Sequence, residues 1–219
     1  MLERIQKYRR DLHQIPELEL ELPKTQRYVQ ETLRDLPCTL SSPIPSSVVA
    51  FFDAGRKESI AFRSDMDALP VTEATGRAFA SRHAGRMHAC GHDGHMAMLL
   101  EFAHQLSTYY KELPHNVVLI FQPGEETPGG AEPMCKSGIF EQYHIKRIFG
   151  FHVWPMLDNG VIATRRNEFM ARSSEVNIDI TGKSAHAAKY QEGIDAMEIA
   201  ARYLLDLYTM EQEELSAET

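Results

Sequence analysis

The sequence predicts an α/β protein: a sheet covered by helices, followed by the start of a smaller α+β unit. Three observations carry this. Helical patterns alternate with short apolar runs through residues 1–172, the order expected when helices pack on a sheet. The run Asn116–Phe121 is apolar without alternation, as a strand buried on both faces must be. Beyond Arg172 the pattern changes to strict alternation, with Val176, Ile178 and Ile180 set against polar neighbours, which suits a sheet with one solvated face.

Residues 2–14 read as an amphipathic helix with Leu2, Ile5, Tyr8 and Leu12 on one face, closed by Pro16. Pro23 opens a second helix through Leu36, a position proline favours because its missing N–H has no helical partner there. Ser41–Ser47 reads as loop, Ser47–Phe52 and Ser59–Arg63 as strands, and 64–89 as a long polar loop. Asp93 is placed as the cap of a helix reaching about Tyr110, with Met96, Leu99, Leu100 and Ala103 inward. Then come strand Asn116–Phe121, a short helix over 130–136, a buried-type strand Arg147–Phe151 and a short strand over 161–163. The second unit, 173–219, holds a strand over 174–181 and a helix over 194–208. The domain division is therefore 1–172 and 173–219.

Composition narrows the function classes. Hydrophobic residues make up 43% and charged residues 25%, which excludes disordered and collagen-like classes. With 23 basic and 31 acidic residues the net charge is −8, and no basic run offers a footprint for nucleic acid. No stretch approaches the ~18 apolar residues of a membrane span, and Met1–Arg10 has no apolar signal core. A cytoplasmic protein with no nucleic-acid or membrane partner is expected. Cys38, Cys90 and Cys135 are then thiols.

Four clusters carry chemistry. Arg63-Ser64-Asp65-Met66-Asp67, Gln122-Pro123-Gly124-Glu125-Glu126 and His152 each follow a predicted strand. His88-Ala89-Cys90-Gly91-His92-Asp93-Gly94-His95 precedes a helix. In an open α/β sheet the carboxyl ends of the strands are where ligands bind. Thiolate, imidazole and carboxylate are the usual ligands of zinc and its neighbours. The pair Glu125-Glu126 suggests a division of labour, one carboxylate holding metal and the other taking a proton from water. Asp65 and Asp67, two apart on a strand end, can face one way, and one of them can orient a ligand imidazole. Each cluster alone has an ordinary reading. A free cysteine is often core, and acids after a glycine often just open a helix. It is their recurrence at three strand ends that favours a metal. His13, His83, His104, His115 and His144 read as structural or surface, as do Cys38 and Cys135.

The segments RRDLHQIPELE, FRSDMDALP, MHACGHDGHMAML, FQPGEETPGGAEPM, GFHVWP and GKSAHAA follow one another in order. Together they closely resemble the dinuclear-metal amidohydrolases and peptidases that include hippurate hydrolase, the auxin-conjugate hydrolases and N-acetyldiaminopimelate deacetylase. GEETPGGAEPM looks most like the deacetylase branch, which would belong to lysine biosynthesis. The resemblance implies a zinc-peptidase-like catalytic domain with a smaller lid or dimerisation domain inserted into it. By matching motifs it implies Cys90, His92, Glu126 and His152 as ligands of two divalent ions (zinc, manganese, cobalt or nickel). It implies Glu125 as general base and Asp67 as the carboxylate that orients a ligand. Asp65 stands where other branches carry a ligand histidine, and is not assigned to the metal. His186 would reach the active site of a dimer partner and polarise the scissile carbonyl. The implied reaction is hydrolysis of the amide bond of an N-acyl amino acid; a metallo-carboxypeptidase or dipeptidase is the nearest alternative. Members are near twice this length, so the closing strands and one more ligand histidine are expected outside these 219 residues. An inactive fragment is the competing reading.

Overall fold

The structure, a computed structural model, describes residues 1–167, 169 and 176–213. It divides into two compact units, Met1–Leu157 and Asp158–Thr219. The division read at 172–173 lies outside the described residues.

The first unit is a five-stranded mixed sheet flanked by helices. Its strands are β1 (Thr39–Ser41), β2 (Val48–Phe52), β3 (Ser59–Asp65), β4 (Asn116–Gln122) and β5 (Ile145–Gly150). Their spatial order is β1-β2-β4-β3-β5. β2 runs antiparallel to β1 and β4, whereas β3 runs parallel to both β4 and β5. Helices α1 (Leu2–His13), α2 (Pro23–Leu33) and α3 (His92–Leu106) pack on one face. The short α4 (Ala131–Lys136) and α5 (Ile139–Gln142) pack on the other.

The period of two along each strand decides which core a residue joins. In β4, Val117, Leu119 and Phe121 enter the core beneath α1–α3, and Val118 and Ile120 enter the core beneath α4 and α5. β2 divides the same way, with Val48, Ala50 and Phe52 on one side and Val49 on the other. Every residue of β4 is buried, which is why its sequence shows no alternation. Arg4 clamps α1 to α3 through two bonds to the buried Glu101 carboxylate, at 2.7 and 2.8 Å.

Asn116 opens β4 and closes the turn after β2. Its Oδ1 accepts from the Ala54 and Arg56 N–H groups at 2.9 and 3.0 Å, and its Nδ2 donates to the Arg56 carbonyl at 2.7 Å. Asn116→Ala is expected to cost about 2 kcal/mol in urea unfolding, because the turn loses partners for groups turned away from solvent.

Several boundaries differ from the sequence expectation. α3 starts at His92, and Gly91 with φ +104° is its N-cap. Asp93 lies inside the first turn, where its carboxylate serves α1 instead of capping. The helix ends at Leu106 because the Ser107 and Thr108 hydroxyls take the carbonyls of His104 and Gln105. A 3-10 turn, Tyr110–Glu112, follows. α2 stops at Leu33, short of Leu36, and β1 arises over two unassigned residues and the first of the expected loop, since three residues are too few to display a period. β5 forms, but it is not buried: Ile148 and Phe149 are 48% and 46% exposed. Among the described residues it is an edge strand with only β3 beside it.

In the second unit, residues 161–163 and 176–181 are irregular where strands were expected; 174 and 175 lie outside the described residues. A strand needs a neighbour, and the only pairing among the described residues of this unit is the Lys183–Ile194 bridge. A 3-10 helix, Ala187–Glu192, and α6 (Ala196–Glu213) complete it. Asp195 caps α6, its Oδ1 accepting from the Met197 N–H at 2.9 Å, so the helix starts two residues later than the apolar spacing suggests. No helix of the described residues is long and apolar enough to cross a membrane.

Candidate metal centre

Because β3, β4 and β5 are parallel neighbours, their carboxyl ends lie on one rim. Asp65 pairs with Gln122, and Arg63 with Gly150. Asp67 therefore leaves β3 beside the Gly124–Glu126 turn after β4, and His152 follows β5 on the other side. The Gly91 turn delivers Cys90 and His92 to the same rim at the start of α3.

The buried His92 is the centre of the cluster. Its Nδ1 donates to the Asp67 carbonyl at 2.8 Å, so Nε2 carries the free lone pair. That Nε2 is buried and has no hydrogen-bond partner. Around it stand Glu125 Oε2 and Glu126 Oε1, both at 3.8 Å, and Asp65 Oδ2 at 3.7 Å. Ligand atoms of Cys90, His92 and His152 lie within 4.8 Å of one another, as do those of His92, Glu125 and Glu126. The Cys90 thiol donates to His152 Nε2 at 3.3 Å, and His152 Nδ1 donates to the Val153 carbonyl at 2.7 Å. Each imidazole thus turns a lone pair inward and its N–H to a main-chain oxygen, the usual dress of a metal-ligating histidine.

Asp67 is fully buried and holds the acidic pair in place. Its two carboxylate oxygens accept from the backbone N–H groups of Glu125 and Glu126, at 2.8 and 3.0 Å. The imidazole of His92 is oriented by the main chain of Asp67 and the glutamate turn by its side chain.

The electrostatics favour a cation. Burial, then the charges of Glu126, Glu125 and Asp65, push the Cys90 thiol up to about 12. Burial opposes a charge on His92, yet its contacts with Asp67 and the charge of Asp65 raise its pKa. An unpartnered buried imidazole nitrogen, a thiol and two carboxylates fit a divalent ion, which would replace the missing positive charge.

Two buried networks behind the rim leave no trace in the sequence pattern. His13, read as structural or surface, donates to Asp93 at 2.8 Å and to Glu73 at 3.3 Å, and Arg9 donates to Asp93 at 3.0 Å. The hydrogen bond to Asp93 raises the His13 pKa against the cost of burial. A base with a raised folded pKa contributes fully below its unfolded value of about 6.5, and the contribution is lost as pH rises through the folded value. The stability lead of wild type over His13→Phe is therefore expected to be largest near pH 6 and to shrink towards pH 8.5, read by urea unfolding. His88 is buried with both ring nitrogens unpartnered, and burial pulls its pKa down to about 4, so it stays neutral. The second network joins His95 to Asp65, at 2.7 Å. His186 belongs to the second unit, where it is exposed and its Nδ1 accepts from the Ala188 N–H at 3.1 Å.

The model of peptidase family M20/M25/M40 matches residues 61–217. An uncharacterized hydrolase of Staphylococcus epidermidis is 42% identical over 194 residues, 88% of this chain and 51% of the relative. One from Staphylococcus aureus is 38% identical over 213 residues, 96% of this chain and 56% of the relative. Among solved structures, the Bacillus subtilis YXEP protein, a dinuclear metal binding peptidase from the M20 family, is similar with a TM-score of 0.66 and 36% identity. That match covers 71% of this chain and 44% of the other. A mixed sheet between helices, with thiol, imidazole and carboxylate gathered on one rim, defines the class: a metallopeptidase-like fold. The chain belongs to peptidase family M20/M25/M40. It spans about half the length of the curated relatives it matches.

Proposed function

We propose that the protein is a metal-dependent amidohydrolase acting on an N-acyl amino acid, N-acetyldiaminopimelate or a close analogue. The observation that carries this reading is His92 Nε2, buried, unpartnered and ringed by a thiol and carboxylates. Cys90, His92, Glu126 and His152 would hold two divalent ions. When bound, these supply positive charge that acidifies water and polarises the substrate carbonyl. Glu125 takes a proton from water, the water oxygen bonds to the amide carbon, and the C–N bond breaks. Glu125 then passes its proton to the leaving nitrogen, so the products are a carboxylic acid and an amine. The base is assigned to Glu125 over Glu126 because its side chain is 42% exposed against 26%, which leaves it open to water and substrate. Asp67 orients, and His186 of a second copy polarises the carbonyl in a homodimer. The protein works in the cytoplasm, with a small-molecule substrate and no nucleic-acid or membrane partner.

The test starts with elemental analysis of the purified, folded 219-residue protein, where one to two tightly held transition-metal ions per chain are expected. A folded chain that takes up none from zinc, manganese, cobalt or nickel overturns the reading. N-acetyl amino acids are then assayed beside dipeptides. The family description favours peptides as the second reading, and faster dipeptide cleavage would select it.

A further inference from the structure

His152 stands in an exposed segment after an edge strand, so burial does not fix it. Something else must hold its ring. Resting on the metal-centre reading above, we propose that Arg63, Asp65 and His95 form a brace that positions His152 through the Val153 peptide, and that neither Asp65 nor His95 is a ligand.

The connections are continuous. Arg63 Nη1 donates to Asp65 Oδ2 at 2.8 Å, and Arg63 is itself held by Gln122 Oε1 at 3.0 Å. His95 Nδ1 donates to Asp65 Oδ1 at 2.7 Å. The backbone N–H of Val153 can only donate, and it does so to His95 Nε2 at 3.0 Å. The carbonyl of the same residue accepts from His152 Nδ1. Val153 is thus pinned by its N–H and aims His152 with its C=O. The His95 and His152 rings also meet edge to face, 4.7 Å apart. A third contact agrees. Gly91, between the ligands Cys90 and His92, lies so close to Val153 that a Cβ there would fall 2.5 Å from Val153 Cγ2.

A ligand role competes, because ligand atoms of Asp65, His92 and His95 also lie within 4.8 Å of one another. Hydrogen bonding decides against it. Both nitrogens of His95 are engaged, so its ring has no lone pair left for an ion, and an ion on Asp65 would stand against the charge of the Arg63 guanidinium, 2.8 Å from the carboxylate. His95 is a positioning residue, acting on His152 through the Val153 peptide.

The test is a Co²⁺ titration of the 219-residue protein, followed by the cobalt–thiolate absorption that Cys90 would give. His95→Phe keeps the ring volume and removes both hydrogen bonds. It is expected to weaken Co²⁺ binding roughly 10- to 100-fold, with the number of ions at saturation unchanged. His95→Gln, which retains an acceptor for the Val153 N–H, should recover much of that loss. In a His152→Ala background, adding His95→Phe should cause no further weakening. Wild-type affinity in His95→Phe, loss of a whole ion at saturation, or additive effects in the double variant would each overturn the brace. Should His95→Phe fail to fold, Asp65→Asn gives the same reading: it keeps an acceptor for His95 but turns an N–H towards Arg63. Several-fold weaker Co²⁺ binding is expected there, and unchanged binding overturns the proposal. A wild-type chain that binds no Co²⁺ overturns the metal centre and the brace with it; a wild type that binds beside insensitive variants sinks the brace alone.

Discussion

Glu125→Gln is expected to lower turnover on an N-acetyl amino acid by about 10²- to 10⁴-fold while leaving metal content unchanged. The amide has the shape of the acid but takes no proton at neutral pH. Position 125 keeps its backbone bond to Asp67 Oδ1, so the turn carrying it stays in place. The two halves of the result matter together. Glu126→Gln, one residue on, should lose metal as well as activity, because the ligand role is assigned there. Equal turnover in Glu125→Gln and wild type would move the proton acceptor to another residue, and metal loss in Glu125→Gln would exchange the two glutamates' roles.

The second large effect is expected at Asp67. Asp67→Ala deletes a fully buried carboxylate and both of its bonds to the Glu125 and Glu126 N–H groups. Hydrogen bonds to a charged acceptor contribute roughly 1.5–3 kcal/mol each, and Glu125 and Glu126 sit where water can partly replace what is lost. A destabilisation of about 3 kcal/mol in urea unfolding is the expected result. Metal affinity should fall as well, through the loosened Glu126. Unchanged stability together with unchanged metal binding would show that the turn holds itself.

Much of this was legible in the residues. β4 announced itself through six unbroken apolar or amide-led positions, because a strand covered on both faces has no polar side to display. The rim was legible too, since residues that follow parallel strands must meet wherever those strands are neighbours. What the sequence hid is of two kinds. Pairings that span long separations leave no periodic trace: His13 with Asp93, Asp65 with His95 and Arg4 with Glu101 are set by how α1 and β3 dock against α3. Edge status is also invisible. Arg147–Phe151 reads as a buried-type strand by composition, yet the exposure of the strand that forms, Ile145–Gly150, depends on which strands stand beside it.

The two inward-facing imidazoles, on His92 and His152, are aimed by peptide oxygens, those of Asp67 and Val153. Every amino acid supplies that oxygen. Mutation can therefore change the side chain at 67 or 153 without erasing the aim of either ring, provided the backbone keeps its course. Drift among homologues at position 153 would be tolerated on this account, whereas insertion or deletion of a single residue between 150 and 153 would not. The aim of the two rings is thus vulnerable to chain length and backbone path, a kind of damage that substitutions at 67 or 153 do not inflict, even where, as at Asp67, they loosen the glutamate turn.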